Sequence, residues 1–497
     1  MSAENCGEVE VKGGQGCEDL ELELNLRKCG VRKPVKAKSH CDGQNAAATA
    51  KTSAGVYTVV LRRVDGWGQQ KWEVEQSHFA KKSEPVAKKV TKVRKIASAA
   101  APTAPAEEKA PAAPPVDSGD GKLSGNWGGR RNTLADKGVT LGAYYTGEVV
   151  TNAGGGIESK TTYMGKLTLS VDLDLQKLMG LSSWNFHTSA MATHGQGPSA
   201  FTGDFQFTSN IEADPNSKLY DAWLQKSFSD GKTSVLFGLY DWNSENNVTD
   251  SSMAFLNSSF GMGAELSQTP VNGVVMVSTY PNAALGARFL TNQGGAYVNA
   301  AVLEGLSGNY QNPTGNTFNL RADDGLFLAT EVGYKTPEEA TGELPCKYAF
   351  GSWMFTKRIP TIDGSSTDAN YGFYFMGEQA LSSHLSLFAR FGTASGVNQV
   401  HSNLAAGLLF NKLNPALDND QLGFGVTTAW NSDEYLAAQN AAGTPTKLSE
   451  TALELLYRFE MVPGLAVQPD LQYVLNPGMD PTVNDTFNFF IRFDLAF

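Results

Sequence analysis

From residue 121 onward the chain alternates apolar and polar residues in runs of about ten, with turn residues between the runs. The last run is the clearest. Phe487, Phe489, Ile491, Phe493, Leu495 and Phe497 occupy one parity, while Asn488, Arg492 and Asp494 fall on the other. Successive side chains of a strand point to opposite faces, so this run predicts a strand with one apolar face and one charged face. Leu453, Leu455, Tyr457 and Phe459 alternate with Glu454, Leu456, Arg458 and Glu460 in the same way. So do Val467, Leu471 and Tyr473 with Gln468, Asp470 and Gln472, and Leu167, Leu169, Val171 and Leu173 with Lys166, Ser170 and Asp172. Tyr371, Phe373 and Phe375 face away from Gly372, Tyr374 and Met376.

A soluble sandwich also alternates. A charged interior face, aromatics at strand ends and a final strand ending on Phe497 instead predict a transmembrane antiparallel β-barrel. The fold class expected is all-β. The residues from 121 to 497 give about sixteen strand-and-loop units, a size that leaves an aqueous lumen.

Residues 1–80 predict a separate small β domain. Leu20–Leu26 alternates strictly, Val56–Arg62 is rich in β-branched and aromatic residues, and Asp65-Gly66 with Trp67-Gly68 supplies turn chemistry before Trp72–Gln76. Cys6, Cys17, Cys29 and Cys41 cluster there, which predicts two disulfide staples in an oxidising compartment. Their spacing contains no C-x2-C knuckle for zinc. Cys346 reads as an unpaired loop thiol. Residues 81–120 read as a linker. Lys81–Lys95 carries seven basic residues and one acid, and the segment from Ile96 to Pro115 is rich in Ala and Pro.

Composition sharpens this division. The 497 residues carry a net charge of −11, but residues 1–115 sum to +5 and the remainder to −16. Charged residues are only 18% and the mean hydropathy is −0.27. No run approaches the roughly 18 apolar residues of a membrane helix. The start, Met1-Ser-Ala-Glu-Asn-Cys6, has neither a basic nor an apolar leader region, and is read as a mature form. The basic run lacks interleaved aromatics, so no nucleic-acid partner is expected. Cell wall or lipid headgroups are the anionic surfaces it would suit.

Several segments of residues 121–497 resemble the carbohydrate-selective outer-membrane porins of the OprB type. They are Ser124-Gly-Asn-Trp-Gly-Gly-Arg130 with Leu134–Val139, Tyr145–Val149 with the Asn152–Gly156 turn, Asp172–Gly180, Asn257-Ser-Ser-Phe-Gly261, Leu285-Gly-Ala-Arg-Phe289, Glu454–Phe459, Gln468–Val474 and Asn476–Gly478. The resemblance implies a sixteen-stranded monomeric channel in the outer membrane that passes glucose and similar sugars. Residues 1–115 carry no such resemblance.

A neutral, polyhydroxylated solute with apolar ring faces calls for donors and acceptors close together and an aromatic to stack on. Parity places Glu148, Lys166, Asp172, Asp221, Trp223, Gln225, Glu331, Glu378, Arg390, Glu454, Arg458, Asp470, Gln472 and Arg492 on the lumen face. Trp223, Arg390, Arg458 and Asp470 are the preferred candidates, because an arginine fork can hold vicinal hydroxyls. Trp127 and Arg130, in a glycine-rich segment before the first strand, are further candidates for the lumen or its periplasmic mouth. They precede an expected short helix over 132–137.

Among six histidines none lies in an HExxH, and no nucleophile elbow or phosphate loop occurs. No cofactor, metal site or catalysis is expected. The polar stretch Asp241–Asn247 with Asp250 lacks calcium-loop spacing and reads as a surface loop. The expected function is passive diffusion of mono- or oligosaccharides through an outer-membrane channel, with residues 1–80 periplasmic. The alternative is an anchor that tethers the membrane to peptidoglycan through residues 1–95. An outer-membrane enzyme using His187 or His194 is a third reading.

Overall fold

The computed structural model describes residues 121–497, apart from short loop stretches (230, 269–274, 309–320, 338–342, 418 and 445), and the backbone of six strands before residue 82. The chain divides into two units, Met1–Lys95 and Ile96–Phe497.

In the first unit β1 (Glu8–Lys12), β2 (Glu21–Asn25), β3 (Val35–Asp42), β4 (Asn45–Lys51), β5 (Gly55–Gly66) and β6 (Gln69–Lys81) follow one another in a single antiparallel meander. Cys6, Cys17 and Cys29 lie outside the described residues. Of Cys41 only the backbone is described, in β3 opposite Ala46.

The second unit is a closed antiparallel barrel of sixteen strands. In order these are β7 (Val139–Gly156), β8 (Thr161–Asp174), β9 (Trp184–Gly195), β10 (Asn216–Phe228), β11 (Thr233–Tyr240), β12 (Ala284–Gln293), β13 (Ala296–Glu304) and β14 (Leu326–Lys335). They continue with β15 (Cys346–Pro360), β16 (Thr367–Ser382), β17 (Leu385–Ala394), β18 (Val400–Asn411), β19 (Gln421–Asn431), β20 (Ser449–Val462), β21 (Leu465–Leu475) and β22 (Asn484–Ala496). Each pairs with its neighbour in sequence, and β22 closes the ring on β7.

The predicted parity holds. On β16 Phe375 is 59% exposed and Tyr374 0%. Phe237, Phe289, Phe373, Phe391, Phe424, Leu455 and Phe489 are also exposed on their strands. In water each would forgo roughly 1.5–3 kcal/mol of burial. An outward apolar band of this kind is what a barrel presents to a bilayer.

The connections differ between the two barrel ends. At one end the strands turn tightly, as at 294–295, 383–384 and 463–464. The chain enters here, through a short helix over Arg130–Asp136, starting two residues before the expected one. At the other end two connections are long and turn inward: 196–215 between β9 and β10, and 241–283 between β11 and β12.

Asp241–Asn247, expected on the surface, is largely buried instead, with Ser244 exposed, while Asp250 stays exposed. Trp242 and Asn243 are each 1% exposed. Trp242 anchors an apolar cluster with Leu236, Val277, Phe327, Trp353 and Tyr374 that fills one side of the barrel interior. The inward face is therefore not uniformly polar. Where the long loop covers β11 to β17 it is a packed core. Cys346 is a free thiol, as expected, but it opens strand β15 instead of lying in a loop, and it donates its N–H to Thr336 Oγ1 at 2.9 Å.

Candidate functional site: the lumen and its inward loops

The two inward loops bring buried backbone into the barrel, and every buried N–H and C=O needs a partner. The wall supplies much of this. Glu331 on β14 accepts from Asn247 N at 2.8 Å, Tyr297 OH at 2.7 Å and Tyr374 OH at 2.6 Å, with Lys347 Nζ at 3.6 Å. Glu378 on β16 accepts from the backbone N–H groups of Asp250 and Ser251 at 2.7 and 2.9 Å. Glu454 on β20 accepts from Leu256 N and Asn257 N at 2.5 and 2.9 Å. Arg390 on β17 works in the opposite sense, donating to the carbonyls of Asn247, Phe260 and Ser259. Hydrogen bonds to charged groups contribute about 1.5–3 kcal/mol each, so these contacts fasten the 241–283 loop to the wall.

The 196–215 loop is held similarly. Glu450 on β20 accepts from Phe205 N, Gln206 N and Gly478 N at 2.7, 2.8 and 2.5 Å. Gln472 on β21 donates to Thr208 O at 2.7 Å. Glu148 on β7 accepts from Ser209 Oγ at 2.7 Å and from Arg492 Nε at 2.5 Å, and Arg492 also reaches Asn210. The loops bind each other too, through Ser258 N to Phe207 O at 2.9 Å and Tyr280 OH to Ile211 O at 3.1 Å.

Carboxylates of both inward loops feel this burial, Asp204 among them. Glu265, in the short helix Ala264–Ser267 of the longer loop, is fully buried beside Arg390. Burial pushes its carboxyl up to about 7, against the pull of the Arg390 guanidinium. Burial pushes Glu212 up to about 8, with the Asp204 charge adding to the shift and the Ser199 hydrogen bonds opposing it.

All the residues that parity assigned to the strand interior face inward, and most are engaged there. Asp221 accepts from Asp241 N at 3.2 Å. Gln225 accepts from Arg288 Nη2 at 3.0 Å, and Arg288 also holds Glu245 at 2.6 Å. Asp470 is a buried carboxylate beside Glu454. Lys166 lies over the Tyr280 ring, 4.9 Å from its centroid. Arg458 pairs with Asp494 and stays partly exposed. Trp223 is partly buried and stacks on His187 with ring centroids 4.9 Å apart, and His187 bonds Asp172 at 2.7 Å. Trp127 and Arg130 stand elsewhere, exposed at the tight-turn end, where Trp127 lies 4.2 Å from the Arg131 guanidinium and donates to Ser124.

Glu450, Arg288 with Glu245, and Glu265 were not selected from the sequence, and His187 was named only for the enzyme reading. Glu450 shares the parity of Glu454, and Arg288 lies in the segment Leu285–Phe289, so a signal existed for both. Nothing in the sequence marks Glu245 or Glu265 as folded into the barrel.

Comparison with known proteins agrees with this architecture. Residues 158–497 match the family described as carbohydrate-selective porin, OprB family. Porin B of Pseudomonas aeruginosa is 23% identical over 407 residues, covering 72% of this chain and 87% of that protein. The putative porin QuiX of Acinetobacter baylyi is 22% identical over 404 residues, covering 73% and 90%. The high-pH structure of Pseudomonas putida OprB superposes with a TM-score of 0.67 at 22% identity, covering 77% of this chain and all of that one. A sixteen-stranded ring with an apolar outer band, an inward face of fastened loops and a family match over most of the barrel together place the chain in the OprB family of carbohydrate-selective, outer-membrane porins.

Proposed function

We propose that the protein is a passive channel for sugars in the outer membrane, with a path bounded by the polar wall and the two inward loops. The observation that carries this reading is the way the wall holds those loops. Charged inward residues that could attract ions, such as Glu331, Glu378, Arg390 and Arg492, are bonded to loop groups or to each other. A lumen whose charges are satisfied internally favours a neutral, hydroxyl-rich solute over an ion, because a charged solute gains no unpaired counter-charge there. The relatives' names point to the same solute class.

Diffusion needs no catalytic group, and the reading includes no reaction. The unit Met1–Lys95 would sit on the periplasmic side, since chain ends before the first strand of such barrels lie at the tight-turn end. Contact with peptidoglycan through its basic residues is the accompanying proposal for that unit. Swelling of liposomes loaded with purified protein tests the channel. Glucose should enter faster than in protein-free vesicles, and equal rates would sink the reading.

A further inference from the structure

Three side chains stand next to one another in a single lateral row on three successive strands. Asp172 on β8 is the register partner of His187 on β9, and His187 is the partner of Trp223 on β10. All three face the interior. The imidazole links the other two, bonding Asp172 Oδ1 through Nδ1 at 2.7 Å and stacking on the indole with an interplanar angle of 22°. His187 is itself buried, at 2% exposure, so it serves as the backing of the group. The Asp172 side chain is 37% exposed and Trp223 only partly buried.

The row continues through two glycines to Leu303 on β13. Trp223 pairs with Gly238 on β11, and Gly238 with Gly286 on β12. A Cβ at Gly238 would lie 2.6 Å from Trp223 Cα and 2.9 Å from its Cβ, and φ there is +142°, so the position excludes a larger residue. The indole thus has an imidazole on one side and glycine backbone in the next strand on the other, and it packs against the apolar cluster around Trp242. A carboxylate with accepting capacity and a partly exposed aromatic ring fixed in orientation are the parts a pyranose requires. Its apolar face packs on the ring and its vicinal hydroxyls donate to the carboxylate.

We infer that Asp172, His187 and Trp223 form a saccharide-binding station on the channel wall, with Trp223 and Asp172 touching the sugar and His187 a positioning residue. The station rests on the sugar-channel reading and adds to it a place where the solute pauses.

Single-channel conductance in planar bilayers, titrated with glucose, tests it. The wild-type current should be blocked in a saturable manner. In Trp223→Ala the half-blocking concentration should rise at least tenfold, and in Trp223→Phe, which keeps an aromatic face, it should fall between the two. His187→Ala should weaken block less than Trp223→Ala, and Asp172→Asn should weaken it several-fold. Folding of each variant is read from its heat-modifiable gel mobility. If Trp223→Ala does not insert, Asp172→Asn decides alone. Wild-type block surviving unchanged in Trp223→Ala or Asp172→Asn overturns the station. So does a wild type that admits glucose into liposomes but shows no block. Failure of glucose to enter liposomes overturns the channel reading itself, a separate outcome.

Discussion

Arg492 and Glu148 are register partners across the seam where the last strand meets the first, and their side chains form a buried ion pair on the inward face. The two lie 344 residues apart in the chain. Their exposures are 2% and 0%, so neither charge has water to fall back on.

Removing one partner of that pair should cost far more than removing both. Breaking a buried pair strands an uncompensated charge, at about 3–5 kcal/mol. Glu148→Ala should therefore lower the thermal midpoint of the folded barrel markedly. Glu148→Gln with Arg492→Met should recover part of the loss. Gel mobility against temperature measures both, and equal midpoints for Glu148→Ala and wild type would refute the role.

Arg390 supports three carbonyls of the long loop at once. Arg390→Ala leaves those carbonyls without their wall donor and Glu265 without its neighbouring cation. The barrel should still form, because the strand ladder is untouched. The current through it should become several-fold noisier and larger on average. A quiet current of wild-type size would mean that the loop is held without Arg390.

The loop carboxyls give stability a pH dependence of definite sign. Glu265 and Glu212 are raised to about 7 and about 8 from an ordinary 4.5. Between the ordinary and the raised value the folded state holds more protons than the unfolded one. Their contribution is thus greatest below about pH 4.5 and is lost as pH rises through about 7 to 8. The thermal midpoint should fall between pH 5 and pH 8, and Glu265→Gln and Glu212→Gln should each flatten the slope. A wild-type midpoint that rises over this range contradicts the assignment.

Outward positions should respond to lipid and inward ones should not. Phe375→Arg places a charge in the apolar band, which costs about 2–4 kcal/mol near the bilayer midplane. Refolding yield into lipid vesicles should fall for Phe375→Arg and change little for Phe375→Leu. Equal yields would mean that residue 375 is not in contact with lipid.

The wall of the barrel was legible in the sequence because a strand writes its two faces as a period of two. Phe487 to Phe497 carry the outer face on the odd positions and the inner face on the even ones, and the structure keeps both. The interior filling was not legible. Asp241–Asn247 is polar, and polarity in a connection usually means solvent. Here the polarity serves a buried turn, in which Asp241 caps Asn243 N at 2.9 Å and Asn247 N meets Glu331. Trp353 and Tyr374 share the inward parity of Arg390, and only the long loop lying over them explains an aromatic there. Parity likewise finds Glu331, Glu378 and Glu454 but cannot say that their acceptors are occupied by backbone.

The fastening of the long loop has a mechanical consequence. Its attachments lie on β14, β16, β17 and β20, spread over a wide arc of the ring. A segment tied at so many points cannot swing as a flap. It behaves as a cross-brace, and the bore it leaves can change only as the cylinder itself ovalises or its strands change tilt.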